Sequence, residues 1–174
     1  MEELQHLQKE PKIHQSVYVA ESAEIMGNVS IGAGSSVFPT CVLRGDINAI
    51  VVGERTNVQD GVIVHVSSEK PAVIGNDVTC GHRAIVHACV IGDEVLIGMG
   101  AIVMDGAEIG ARSIIAAGAV VLPGTKVPPG SLVAGCPAEI KRSLAEEQQK
   151  GIRHWAEKYQ KVSAAHQAIQ DGNS

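Results

Sequence analysis

The chain has 174 residues, nineteen acidic against fourteen basic side chains for a formal net charge of −5, and only 2% aromatic residues. That length supports one domain with a substantial core, which must be aliphatic, and the acidic balance without any basic run argues against nucleic acid as a partner. No stretch is apolar for long enough to span a membrane, and the polar opening Met1 to Glu10 lacks the apolar run of a signal peptide, so a cytoplasmic protein is expected.

After an N-terminal segment of residues 1–11, the chain reads as one repeat domain from residue 12 to residue 138. Ile13, Val19, Ile25, Ile31, Val37 and Leu43 lie six residues apart, a period that neither an amphipathic helix at 3.6 nor a plain strand at 2 explains. The register resumes at Val52, Val58 and Val64 and again at Ile74, Cys80 and Val86. It then runs unbroken through Ile91, Ile97, Val103, Ile109, Ile115, Val121, Val127 and Val133. Small or β-branched residues follow many anchors by four positions, Val29, Cys41, Ala84 and Ala107 among them. Such a unit is a short strand plus a turn, and it buries its apolar face only by stacking on its neighbours. Cys41 and Cys80 read as buried core thiols, Cys89 and Cys136 fall in turn positions, and the four spacings match no zinc or disulfide framework.

Beyond Pro137 the repeat ends and the composition becomes helical, so residues 139–174 are expected to form a helix and a tail. Ser143 with Glu146 has the pattern of a capping box. Ile152, Trp155, Tyr159, Val162, His166 and Ile169 make an apolar stripe expected to pack on the repeat domain or on a neighbouring subunit. Gly151 is expected to kink or divide the helix, and Asp171 to Ser174 to fray.

Hexapeptides of this kind resemble the left-handed parallel β-helix superfamily, in which three of them make one triangular coil. The resemblance implies an all-β fold, a left-handed parallel β-helix of about six to seven coils with a C-terminal α-helix, roughly 30 Å tall at the usual strand spacing of about 4.8 Å. With three faces in rotation, two interruptions of the rhythm acquire a meaning. Leu43 to Val52 is nine residues and Val64 to Ile74 is ten, so counting through the insertions puts Leu43, Val64 and Val86 on one face in successive coils. The residues that follow them, Arg44, His65 and His87, then point outward as a column. Two imidazoles in adjacent coils can converge on one cation at about 2.0–2.1 Å.

His82 falls on a different face, two residues after Cys80 and above Asp60, which is two after Val58. A neighbour in a three-fold ring can supply such a side chain to a site on the first face, because a cyclic heterologous contact sets one patch against another. The expectation is a homotrimer with metal at its subunit interfaces, held by His65 and His87 of one chain and His82 of the next. The same contact would bring Asp60 near Arg44 of the adjacent chain.

Arg44-Gly45-Asp46, Asn57-Val58-Gln59-Asp60, His65, His82 and His87 together resemble the motif set of the gamma-class carbonic anhydrases, over about residues 11 to 143. The resemblance implies reversible hydration of CO2 to bicarbonate at zinc, or iron or cobalt, bound by the three histidines. It further implies that Gln59 holds the nucleophilic hydroxide, that Asn57 helps place CO2, and that Arg44, Asp46 and Asp60 form an interface salt-bridge network. The chain departs from the archetype at two points. Ile47 stands where an acidic residue follows the Arg-x-Asp, and the loop after His65 is short, with Ser68 at the shuttle's place and Glu69 beside it as the candidate proton shuttle. A low or buffer-dependent turnover is therefore expected.

Blander readings stand beside these. A single outward histidine on such a fold is ordinarily a surface residue, Arg44 with Asp60 can be purely structural, and Asn57 and Gln59 can be polar turn residues. Tyr159 reads best as stripe packing, and His6, His14, His154 and His166 have no phase relation to the site. The rival functions are a hexapeptide acyltransferase that uses one histidine as base without metal, a thioesterase using the same metal hydroxide, and a non-catalytic metal-binding assembly subunit.

Overall fold

Every sixth apolar side chain turns inward. In the computed structural model, which describes residues 5–172, seventeen of the twenty anchors are buried, from Ile31 through Val133. The three that are not, Ile13, Val19 and Ile25, belong to the first coil, which has no coil below to cover it. The result is a parallel β-solenoid of about seven turns followed by a single C-terminal helix. Residues 1–4 of the expected N-terminal segment and 173–174 of the expected tail lie outside the described residues, while Asp171 and Gly172 are still tied to the helix end by N–H bonds to the Gln167 and Ile169 carbonyls.

Parallel pairing between coils fixes the faces. One face is a sheet that climbs from Tyr18–Val19 through Ser36–Val37, Asn57–Val58, Thr79–Cys80, Leu96–Ile97 and Ile114–Ile115 to Ser131–Gly135. The other two faces are joined into one sheet because two strands, Glu24–Ile31 and Val42–Val52, are long enough to turn a corner and serve both. The first insertion, between Leu43 and Val52, is thus an extended strand of 11 residues rather than an excursion from the coil. The second is a tight turn in which the Ser67 N–H donates to the Lys70 carbonyl at 3.1 Å. Asn48, in the first insertion, ties it down by donating from Nδ2 to the carbonyls of Ser67 and Ser68. Ile47, the residue that replaces an acid, is half-buried against the core.

Three thiols, Cys41, Cys80 and Cys89, are buried; Cys136 is exposed. Cys89 therefore lies in a connection, as expected, yet faces the core. Burial pushes the Cys41 thiol up to about 11 and those of Cys80 and Cys89 up to about 12.

The end of the chain differs from the sequence reading in three respects. Residues Ala138–Ser143, directly after Pro137, form a strand antiparallel to Ser131–Gly135, so Ser143 is engaged in a sheet and cannot cap the helix. The helix is Glu146–Gln170, and its first turn is held by Gln148, whose Oε1 accepts the Ala145 N–H at 3.3 Å. It is continuous through Gly151 and not divided there. Its buried positions are Ile152, Ala156 and Ser163, whereas Trp155 and Ile169 of the expected stripe are 43% and 66% exposed. The small residues let the helix lie close to the prism, leaving Trp155 overhanging its edge. Tyr159 does pack as expected, edge-on against Phe38 with ring centroids 5.6 Å apart, beside Tyr18 and His166.

Candidate metal centre

Leu43, Val64 and Val86 stack in successive coils, and the strand register sets Arg44 opposite His65 and His65 opposite His87. The expected outward column is present. Gly45 makes its base, because a Cβ there would lie 2.7 Å from the carbonyl oxygen of Asn28. Only glycine allows the two long strands to approach this closely, and two-residue alternation then puts Arg44 and Asp46 on the same side. At the top of the column the hexad is one residue short, from Val86 to Ile91, and Ala88 absorbs the loss in a left-handed turn with φ 47°.

The two imidazoles meet end to end, with His65 Nδ1 and His87 Nε2 3.1 Å apart. Their far nitrogens are both occupied by carboxylates: His65 Nε2 lies 3.0 Å from Asp46 Oδ1, and His87 Nδ1 lies 2.9 Å from Asp105 Oδ2. An ionised carboxylate only accepts, so each far nitrogen carries the proton. In neutral rings each near nitrogen then presents a lone pair, and a cation between them would take both. Two ligands of a tetrahedral divalent ion with bonds of 2.0–2.1 Å stand about 3.3 Å apart. The spacing and the proton placement both fit a shared cation, and the carboxylate behind each ring is the usual support for a metal-binding histidine.

Asp46 was expected in an interface salt-bridge network; within one chain it bridges Arg44 and His65, its Oδ2 accepting from Arg44 Nη1. Burial raises its pKa, but the hydrogen bonds from Arg44 and His65 outweigh that and hold the carboxyl below its ordinary range.

His82 stands on the other face, above Asp60, with Nδ1 2.9 Å from Asp60 Oδ2. Both side chains are about half exposed. Among the described residues of one chain, no three His, Cys, Asp or Glu side chains converge as a ligand set. His82 and Asp60 are accordingly apart from the His65–His87 pair and from Arg44. Beside His82 is Gln59, buried under the helix, whose Nε2 donates to Asn57 Oδ1 at 3.0 Å. Asn57 donates in turn to Thr79 Oγ1 at 2.9 Å, so its amide is spent on holding Gln59. A groove of about 330 Å³ opens from His82 and Gln59, walled by Leu96, Met99, Trp155 and Tyr159. The Tyr159 hydroxyl is pushed up by burial and by the Asp60 carboxylate.

Glu69 is exposed on the Ser67–Lys70 turn and makes no hydrogen bond or ion pair among the described residues. The residue that sequence reasoning missed is Asp105. Its signal was present: it follows the anchor Val103 by two positions, the offset that Asp60 and His82 have from theirs.

Residues 88–123 match the family described as bacterial transferase hexapeptide, six repeats. The carbonic anhydrase of Geobacillus kaustophilus is 42% identical over 162 residues, 93% of this chain and 89% of that protein. The chain belongs to the gamma-class carbonic anhydrase family. Mitochondrial gamma carbonic anhydrase 1 of Arabidopsis thaliana is 41% identical over 92% of this chain, which spans 60% of that longer relative. The fold is shared more widely: a Bacillus cereus crystal structure provisionally described as an acetyltransferase superposes with a TM-score of 0.91 at 39% identity, covering 93% of this chain and 94% of that one. As a member of the gamma class the chain would use a metal cofactor, and none of its helices is long and apolar enough to cross a membrane, among the described residues.

Proposed function

We propose that this chain catalyses the reversible hydration of CO2 to bicarbonate as a homotrimer, with a divalent cation held by His65 and His87 of one chain and His82 of the next. The observation that carries the reading is the pair of ring nitrogens 3.1 Å apart, each ring backed by a carboxylate on its far side. Zinc suits three imidazoles, and iron or cobalt would also be accepted. When bound, such an ion keeps an open position and brings the pKa of water there down to about 7, which supplies hydroxide at neutral pH.

The chain's own residues supply orientation. Gln59, its Nε2 tied to Asn57, leaves Oε1 as the polar end that would accept a hydrogen bond from the nucleophile and aim it. Asn57 contributes through Gln59, and Leu96, Met99 and Trp155 give the wall against which an apolar gas can rest. Arg44, Asp46 and Asp60 brace the seam between chains. The proton left over is assigned to Glu69, an exposed carboxylate with no partner among the described residues on the turn that follows His65, and otherwise passes to buffer. We place the protein in a reducing cytoplasm, which its four free thiols favour.

Stopped-flow CO2 hydration on zinc-, cobalt- and anaerobically iron-loaded protein tests this, with His82→Ala as control. Turnover that rises with buffer concentration, and that His82→Ala abolishes together with bound metal, is the expected result. A metal-loaded monomer by light scattering would refute it, and rapid hydration in weak buffer untouched by Glu69→Gln would remove the shuttle assignment.

A second reading is favoured by the groove, whose volume of about 330 Å³ lies in the range of pockets for larger ligands. Hydrolysis of a thioester or another small electrophile would use the same residues. Turnover of acyl thioesters without CO2 hydration would favour it, and acyl transfer by metal-free protein would favour the acetyltransferase described for the Bacillus cereus neighbour. A protein that binds metal and turns over neither would be an assembly subunit.

A further inference from the structure

The geometry points to Asp105 as the positioning residue that selects which nitrogen of His87 faces the metal, an inference that rests on the metal reading above. Four side chains from four strand levels form one line: Asp46, His65, His87 and Asp105, joined by contacts of 3.0, 3.1 and 2.9 Å. Asp105 ends this line, and among the described residues His87 is the one partner of its carboxylate. No cation competes for it.

Its backbone is fixed relative to the ring it holds. The neighbouring Gly106 N–H donates at 2.7 Å to the carbonyl of Ala88, the residue directly after His87, and the Asp105 carbonyl accepts from the Gly124 N–H at 2.8 Å. Gly106 permits this turn with φ 68°. The carboxylate is thus stitched in the coil above at a set height over the ring. A neutral imidazole has one N–H, and an acceptor at Nδ1 draws the proton there. Nε2 then keeps its lone pair directed at His65. Without Asp105, His87 Nδ1 has no other hydrogen-bond partner among the described residues, and the proton is free to reside on Nε2, where it would block the metal. Asp46 does the same for His65 but is shared with Arg44, so Asp105 is the cleaner test.

The experiment uses the full chain in wild-type, Asp105→Ala and Asp105→Asn forms, with Glu157→Ala as a surface control. Zinc affinity is measured by competition with a chromogenic chelator, the visible spectrum of the cobalt-loaded protein is recorded, and the His87 tautomer is read in metal-free protein from long-range imidazole nitrogen–proton NMR correlations. Metal-free melting temperatures report folding. Asp105→Ala should weaken zinc about 10–100-fold, alter the cobalt bands and shift His87 from the Nδ1–H form toward a mixture, with the melting temperature unchanged. Asp105→Asn, whose amide oxygen still accepts the bond, should retain the Nδ1–H form and recover most of the affinity. Wild-type affinity and cobalt spectrum in Asp105→Ala, or an Nε2–H tautomer of His87 in the wild-type protein, would overturn the assignment. If wild-type protein binds no zinc while His87 does show the Nδ1–H form, the metal reading fails and the hydrogen bond stands.

Discussion

The two faces that carry histidines are built differently. On one, His65 and His87 are each locked by a carboxylate and directed at each other, and Asp46, which holds the lower ring, is only 14% exposed. On the other, His82 and its partner Asp60 are 43% and 49% exposed, beside an open groove, with Gln59 rather than a second imidazole as the nearest built feature. The first is preorganised by stacking within one chain, which costs nothing further at assembly. The second is, on the proposed reading, a half-site, whose use would come when a neighbouring chain is laid against it. The contrast teaches that a solenoid aligns side chains well along one face, through fixed register, but cannot turn two faces toward a common point.

Three experiments would break or sharpen that contrast. The largest effect should come from mixing chains. His87→Ala and His82→Ala proteins should each lose hydratase activity by at least about 100-fold, more than the range for a supporting carboxylate. Unfolding and refolding the two together should restore part of it, since some seams then pair an intact His65–His87 face with an intact His82. No recovery in a properly mixed trimer would show that the ligands do not come from two chains.

A middle effect is expected from Gly45→Ala. Its Cβ would stand 2.7 Å from backbone oxygen, and overpacking of this kind costs about 1–3 kcal/mol, read as a lower denaturation midpoint. Because Arg44 and Asp46 flank the glycine, the His65 face should lose zinc affinity while the His82–Asp60 contact is undisturbed. A variant as stable as wild type would show that the two long strands are free to part.

The smallest effect concerns the core on which both faces rest. With three thiols buried and Cys136 exposed, a maleimide should label one cysteine per native chain and four after denaturation. The Cys41 thiol is raised from 9.0 to about 11 by burial. A group whose pKa is raised on folding contributes stability that is whole below its unfolded pKa and is lost as pH rises toward the folded one. The unfolding free energy should therefore fall between pH 9 and 11, by about 1 kcal/mol per pH unit from this thiol, and Cys41→Ala should lessen the slope of that limb, to which Cys80 and Cys89 also contribute. A limb of unchanged slope in the variant would assign the loss to other groups.

Much of this was legible because a parallel coil converts position in sequence into position in space. The anchors of the hexad are buried wherever a coil has neighbours on both sides, and Ile13, Val19 and Ile25 fail only where it does not. The phase of Arg44, His65 and His87 could be counted through two insertions, although their shape, a strand turning a corner and a turn strapped by Asn48, could not. The helix was harder: Ser143 fits a capping box by pattern, yet pairing with Ser131 claims it for a sheet, and long-range pairing overrides a local signal of that size. The helix stripe was expected on the prism or on a neighbouring subunit; the prism takes Tyr159 and leaves Trp155 exposed, because an apolar stripe does not tell which of its residues that surface has room for.

What the sequence by itself determined is which side chains share a face, since six-residue steps and a constant coil leave register no freedom. Tertiary structure alone decided what each nitrogen of those imidazoles meets. A ring's orientation and proton are set by acceptors such as Asp105, eighteen residues from His87 in sequence but one coil away in space, and a hydrogen bond is formed by distance and direction, neither of which a one-dimensional period encodes.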